Sequence, residues 1–356
     1  MNLPLRILIL FSALFLSPLF STAQIVGGNN TYEFLNLPAS ARLTAMGGHL
    51  ISVRDDDLSL ALSNPSLLNP DMHQQIALSH NIFLGGINHG YVAYGHHAKK
   101  WNASLHAGLQ YTTYGTFDAA DEFGTITGEF KASEYAFVVG ASRQVYEKLT
   151  FGANAKLITS QLETYNSVGL AADLGLFYQD TSGRFTASLV FKNAGAQLSG
   201  YTNENNEPLP FDIQIGISQR LKHLPFRFSV VYHNLQRWNL LYDDPTTEET
   251  TFIIGDGNQE ESGFSMQIDN FFRHFVFSGE FLFGRLENFR LRFGYNHLRK
   301  QELSVDNFRS LAGFSMGLGF KIKRFRIDYG RSFYHLAGGG NHFSISTNLR
   351  EFKKKG

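Results

Sequence analysis

The 356-residue chain carries 31 Lys and Arg against 31 Asp and Glu, a formal charge of zero at pH 7 that gives no support for nucleic-acid binding. The absence of cysteine excludes a disulfide framework and a lipid-modified N-terminal cysteine. Only 17% of residues are charged, beside 33 Phe and 34 Gly, a balance that suits a surface facing lipid more than water.

Residues 1–23 read as a secretory signal peptide, with Arg6 as the positive n-region, an apolar run from Ile7 to Phe20, and Ser21-Thr22-Ala23 before the cleavage point. The mature chain is expected to begin at Gln24, with 30 basic against 31 acidic residues once Arg6 is removed. No later run of 18 uncharged apolar residues exists, which argues against an inner-membrane helical protein.

Residues 24–74 form an N-terminal segment without strand periodicity. Ala39–Met46 reads as a short helix broken by Gly47-Gly48, and the acidic run Asp55-Asp56-Asp57 follows. Asn64-Pro65 and Asn69-Pro70 mark turns, because proline restricts the residue before it.

From residue 75 to 352 short segments alternate in face. Phe289, Leu291, Phe293 and Tyr295 oppose Arg290, Arg292, Gly294 and Asn296, and Phe325, Ile327 and Tyr329 oppose Arg324, Arg326 and Asp328. Strands are expected at 75–85, 88–97, 101–115, 132–143, 148–162, 165–179, 184–197, 211–221, 225–236, 272–284, 287–299, 308–321, 324–334 and 341–352. Most reach the ~9–11 residues that a tilted strand needs to cross a bilayer. Short connections fall after even strands and the long ones, 116–131, 198–210 and 237–271, after odd strands. Short periplasmic turns and long outer loops are the pattern of bacterial outer-membrane barrels, and a soluble β-sandwich has no reason to segregate its loops this way. The expected fold is therefore all-β, a transmembrane antiparallel β-barrel of 14 strands preceded by a luminal plug or periplasmic segment. The basic tail 353–356 follows Phe352, an aromatic placed where many such barrels carry an insertion signal.

The string Tyr32 to Gly48 (YEFLNLPASARLTAMGG), with Ser52 to Pro70 (SVRDDDLSLALSNPSLLNP), resembles the N-terminal signature of the fatty-acid-transporter-like (FadL-like) barrels. More narrowly it is similar to the PorV-like barrels of the type IX secretion system of Bacteroidota. Glu207–Leu221, Leu311–Phe320 and Tyr334–Leu349 fit the same pattern, so the resemblance spans nearly the whole mature chain. It implies a fourteen-stranded barrel in the outer membrane of a Gram-negative bacterium, among membrane lipid and lipopolysaccharide. It implies a non-enzymatic component of protein secretion without a cofactor, tethering or supporting a surface attachment complex through its outer loops. The implied partners are a PorZ-like surface protein, the sortase-like PorU and PorV. The alternative is a channel for hydrophobic small molecules. That reading predicts an apolar luminal pocket and a lateral opening, whereas many lumen positions here are Gly, Ala, Ser or charged.

Several candidate sites follow. Asp55, Asp56 and Asp57, with Asn64 and Pro65 of the plug segment, are placed to meet lumen arginines Arg290, Arg292 and Arg326 if 24–74 fills the barrel; otherwise they are a solvated acidic run in the periplasm. Arg290, Arg292, Arg326 and Asp328 form either a polar gate or a charge ladder that stiffens the wall. Trp238, Tyr242, Asp243 and Asp244 open an acidic outer stretch, 243–262, expected to meet a partner or solvent, with Trp238 and Tyr242 as rim aromatics or docking anchors. That stretch lacks calcium-loop spacing, so no metal is expected. His80, His89, His96, His97 and His106 are spread over strands and faces without ligand spacing or a Ser/His/Asp order, and no enzyme is expected.

Overall fold

A computed structural model of the chain describes residues 30–202, 206–241, 263–284, 287–304, 310–335 and 338–352. The chain divides into two units. One comprises 28–240 with 258–356 and is the body described below; the other, 1–27 with 241–257, lies almost wholly outside the described residues. The expected signal peptide, Tyr242, Asp243, Asp244, the whole of 243–262 and the tail 353–356 likewise lie outside them.

Fourteen antiparallel strands close into a barrel, each paired with its sequence neighbours and β1 (Gln75–Ile82) closing on β14 (Gly338–Asn348). Between them run β2 (Asn88–Ala98), β3 (Ala103–Ala120), β4 (Ile126–Tyr146), β5 (Leu149–Leu162), β6 (Tyr165–Gln179) and β7 (Phe185–Ser199). There follow β8 (Asp212–Arg220), β9 (Phe226–Tyr232), β10 (Phe275–Phe283), β11 (Phe289–Asn296), β12 (Phe314–Ile322) and β13 (Phe325–His335). Closure leaves no edge strand within the wall, which is what a bilayer demands of backbone polar groups. The alternation sorts side chains as expected: Phe293, Phe314, Met316 and Phe343 face outward and exposed, while Arg290, Arg292, Arg326 and Asp328 are buried inside. Among the described residues no helix is long and apolar enough to cross a membrane.

Four expectations are corrected. The 116–131 loop is instead the continuation of β3 and β4, with a turn at 121–125. The strand placed over 287–299 stops at Asn296, whose side chain accepts a hydrogen bond from Arg299 N (3.1 Å) and so caps a helix, His297–Leu303. The strand expected from 341 begins at Gly338; a Cβ at Gly339 would collide with the Ser332 carbonyl, so glycine permits the close pairing with β13. The last strand ends at Asn348, and Phe352 closes a short 3-10 turn, Leu349–Phe352, against Phe325.

The interior is filled by residues 31–72. Ser40 accepts from Leu43 N to cap helix α1 (Ala41–Ala45), and the second short helix is α2 (Leu60–Ser63). Leu43, Met46, Leu50, Leu58, Leu60 and Leu67 are buried among them. Glycine marks the places where this segment touches the wall. A Cβ at Gly330 would strike the Ala41 carbonyl, and one at Gly152 would strike the backbone of Pro65 and Ser66. Many small lumen positions are thus contact points for packed backbone.

Candidate functional site

The segment enters the described body near the outer end, where Thr31 N donates to Pro208 O (3.0 Å), and leaves at the opposite end into β1. Between these points it is held by side chains from most of the wall. Ser52 and Ser218 share a 2.6 Å hydrogen bond, Asn154 Nδ2 donates to Ala61 O at 3.0 Å, and Thr44 Oγ1 meets His342 Nδ1 at 2.8 Å. Tyr32 and Ser167 hydrogen-bond through their hydroxyls. Asn64 Oδ1 accepts from Ser66 N (3.0 Å) and its Nδ2 donates to Ile51 O (2.7 Å), so Asn64-Pro65 is a buried corner that ties two stretches of the segment together.

The expected lumen charges come together in one network around the acidic run. Arg326 Nη2 donates to Asp56 at 2.7 and 2.9 Å, and Arg290 Nη1 lies 3.7 Å from Asp55. Arg292 does not reach the acidic run; it donates to Asp328 (2.5 Å) on β13 and to Glu280 (2.7 Å) on β10. Three members were absent from the sequence reading: Arg42, Glu280 and Arg227. Arg42 of α1, 1% exposed at its side chain, donates to Asp55 (2.8 and 3.0 Å), Asp57 (3.1 Å) and Glu280 (3.0 Å). Glu280, fully buried, also accepts from Arg227 at 2.5 Å. Five arginines (42, 227, 290, 292, 326) therefore face five acids (55, 56, 57, 280, 328), a neutral cluster in which each charge has an opposite partner. Burial works against ionisation of Asp55, but Arg42, Arg290 and Arg227 outweigh it and hold its carboxyl well below the ordinary aspartate range. The one signal available for Glu280 was its inward parity, shared with Ser278 and Leu282.

A second buried pair lies on the opposite wall. Lys156 Nζ sits 2.8 Å from Asp173, which also accepts from Asn154 Nδ2 (3.0 Å) and Asn193 N (2.9 Å). At the outer end, Phe34 and Leu37 of the segment face Phe83, Ile87, Tyr114 and Tyr334 of the wall around an apolar cavity of about 380 Å³. Trp238 is 65% exposed and stacks on His274 at 5.9 Å, with its carbonyl accepting from Asn270 (2.8 Å). The five histidines singled out do not assemble: His80 contacts Tyr111, His89 contacts Thr112, His97 contacts Ser104, and His106 contacts Asn154. Among the described residues no group of three or more His, Asp or Glu is placed to hold a metal ion.

Searches against family models and curated proteins return no match. Solved structures do match. The CymD monoaromatic hydrocarbon channel is 14% identical, covers 88% of this chain and 98% of its own, and gives a TM-score of 0.51. The toluene transporter TodX of Pseudomonas putida (14% identity, 87% and 96% coverage, TM-score 0.48) and a Pseudomonas aeruginosa FadL homologue (10%, 87% and 98%, 0.45) are also similar. At this identity the likeness to CymD shows a shared fold: a closed antiparallel β-barrel, here of 14 strands with residues 31–72 packed in its lumen.

Proposed function

We propose that the chain is a plugged, non-enzymatic outer-membrane component of type IX protein secretion, of the PorQ kind. It would hold a cell-surface attachment complex (a PorZ-like protein, PorU and PorV) at its outer end. The observation that carries this reading is the filled interior. Residues 31–72 run from one end of the lumen to the other, and their charges are neutralised by wall residues on β9, β10, β11 and β13. A barrel sealed in this way acts through what it binds. The resemblance of Tyr32–Pro70 to secretion barrels supplies the partner class. The test is deletion of the gene followed by proteomics of the cell surface and medium. Loss of signalled proteins from the surface into the medium supports attachment. Their accumulation in the periplasm places the action earlier, in translocation. An unchanged distribution refutes the reading.

A second reading, a channel for hydrophobic small molecules, has its own support. The neighbours' names are those of hydrocarbon transporters and channels, and they favour transport more directly than secretion. The outer-end cavity, of about 380 Å³ and lined by Phe34, Leu37, Phe83 and Ile87, is apolar and within the size range of small-molecule sites. Tight binding of a fluorescent acyl chain to purified protein, lost in Phe34→Asp, supports transport. Absence of binding leaves the secretion reading alone.

A further inference from the structure

The β3–β4 pair runs on after its neighbours stop. β2 pairs with β3 only to Thr113, and β5 pairs with β4 only from Ala132. Beyond these points Thr116–Ala120 and Ile126–Lys131 pair with each other, closed by a turn in which Asp121 Oδ1 accepts from Phe123 N (3.0 Å) and Thr125 N (2.8 Å). A break in register between Thr113 and Thr116, with Gly115 at φ 84°, sets this ribbon off from the wall. A two-stranded ribbon is marginal by itself in water, and each free edge presents unpaired backbone N–H and C=O groups.

The two faces of the ribbon differ. On one, Phe117 and Phe130 stack at 5.2 Å. On the other, Asp118 stands directly opposite Glu129, and neither carboxylate has a salt-bridge partner among the described residues. Like charges directly opposed destabilise a strand pair. Acids outnumber bases throughout, with Asp118, Asp121, Glu122 and Glu129 against Lys131. At the tip Phe123 is 85% exposed. The same carboxylates repel the anionic headgroups of lipopolysaccharide, which leaves a protein as the occupant.

We propose that this ribbon docks a cell-surface protein. The partner adds an extended, basic strand to a free edge and sets lysine or arginine side chains against Asp118 and Glu129. Backbone pairing then gives affinity, and the carboxylate pair gives charge selection. The inference rests on the secretion reading and names the chemistry of its partner.

The test compares full-length variants expressed in place of the gene with the gene deletion. One combines Asp118→Lys with Glu129→Lys; two others, Ala120→Pro and Glu129→Pro, each take an outward-facing N–H from one free edge. Heat-modifiable gel mobility reports that each barrel has folded, and surface proteomics reports retention of the attached proteins. Charge reversal and at least one proline are expected to lower retention at least about tenfold with the barrel folded. Wild-type retention in all three, where the deletion abolishes it, overturns the ribbon proposal and leaves the secretion reading standing. A deletion without effect overturns the secretion reading and the ribbon proposal with it.

Discussion

Replacing Glu280 by Gln tests whether the charge network clamps the plug. Glu280 accepts from three guanidiniums, Arg42 at 3.0 Å, Arg227 at 2.5 Å and Arg292 at 2.7 Å, and is fully buried. Glutamine keeps the shape and removes the charge, so the cluster is left with one excess positive charge away from water. Removing one partner of a buried pair typically destabilises by about 3–5 kcal/mol. The six plug side chains Leu43, Met46, Leu50, Leu58, Leu60 and Leu67, all at most 1% exposed, bury about 1.5–3 kcal/mol each. Their sum exceeds the loss, so the plug stays inside while its charged end loosens. The amides of Met46 and Gly48, bonded to Arg42 O (3.1 Å) and Leu43 O (2.8 Å), report that end. Hydrogen exchange by mass spectrometry in nanodiscs should quicken there by about 100-fold or more, since 1.4 kcal/mol is tenfold, and change little over 58–68. Exchange at Met46 and Gly48 within about threefold of wild type would refute the clamp.

Four further outcomes are expected. Ser52→Cys with Ser218→Cys, in a chain without cysteine, should form a disulfide on oxidation because the two hydroxyls already lie 2.6 Å apart; no gel shift in the folded barrel would contradict the docked plug. Lys156→Met should destabilise the barrel by about 3–5 kcal/mol in denaturant titrations, because it leaves the carboxylate of Asp173 buried without its ion-pair partner. Gly330→Leu should hinder docking of α1 beneath the Ala41 carbonyl, read as a lowered melting temperature and faster exchange over 40–48; an unchanged profile would speak against the close approach. The Asp55 carboxyl is depressed in the folded chain, so its contribution is full above the unfolded pKa of about 3.9 and is lost as pH falls through the lower folded value. Plug protection should therefore stay flat from neutral pH to about 5 and weaken only in stronger acid.

The wall was legible because a bilayer outside and a packed interior impose a period of two on every strand, and all 14 strands appear where alternation placed them. Boundaries failed where that constraint ends. Beyond Thr113 β3 leaves the wall and side chains on both faces are exposed, so Thr116–Ala120 loses the contrast between a lipid face and a packed interior and reads as a loop. At Asn296 a cap residue ends the strand, and the apolar alternation that runs through Tyr295 carries no mark of the stop. In the site, the acidic run stood out as a cluster and Arg326 as a lumen charge. Arg42 reads as an ordinary residue of a short helix. Its tie to Glu280, 238 residues away, depends on tertiary closure and leaves no local trace.

The plug's latches are distributed unevenly along the chain. Ala41 N donates to Ser344 Oγ across 303 residues, and Thr44 meets His342 across 298, both on the last strand. The first segment to be made is thus fastened in part by the last, and the β1–β14 seam must zip around a segment already threaded through it. A chain cut before β14 would lack both the seam and these two latches, so closing the wall and fastening the plug are one event.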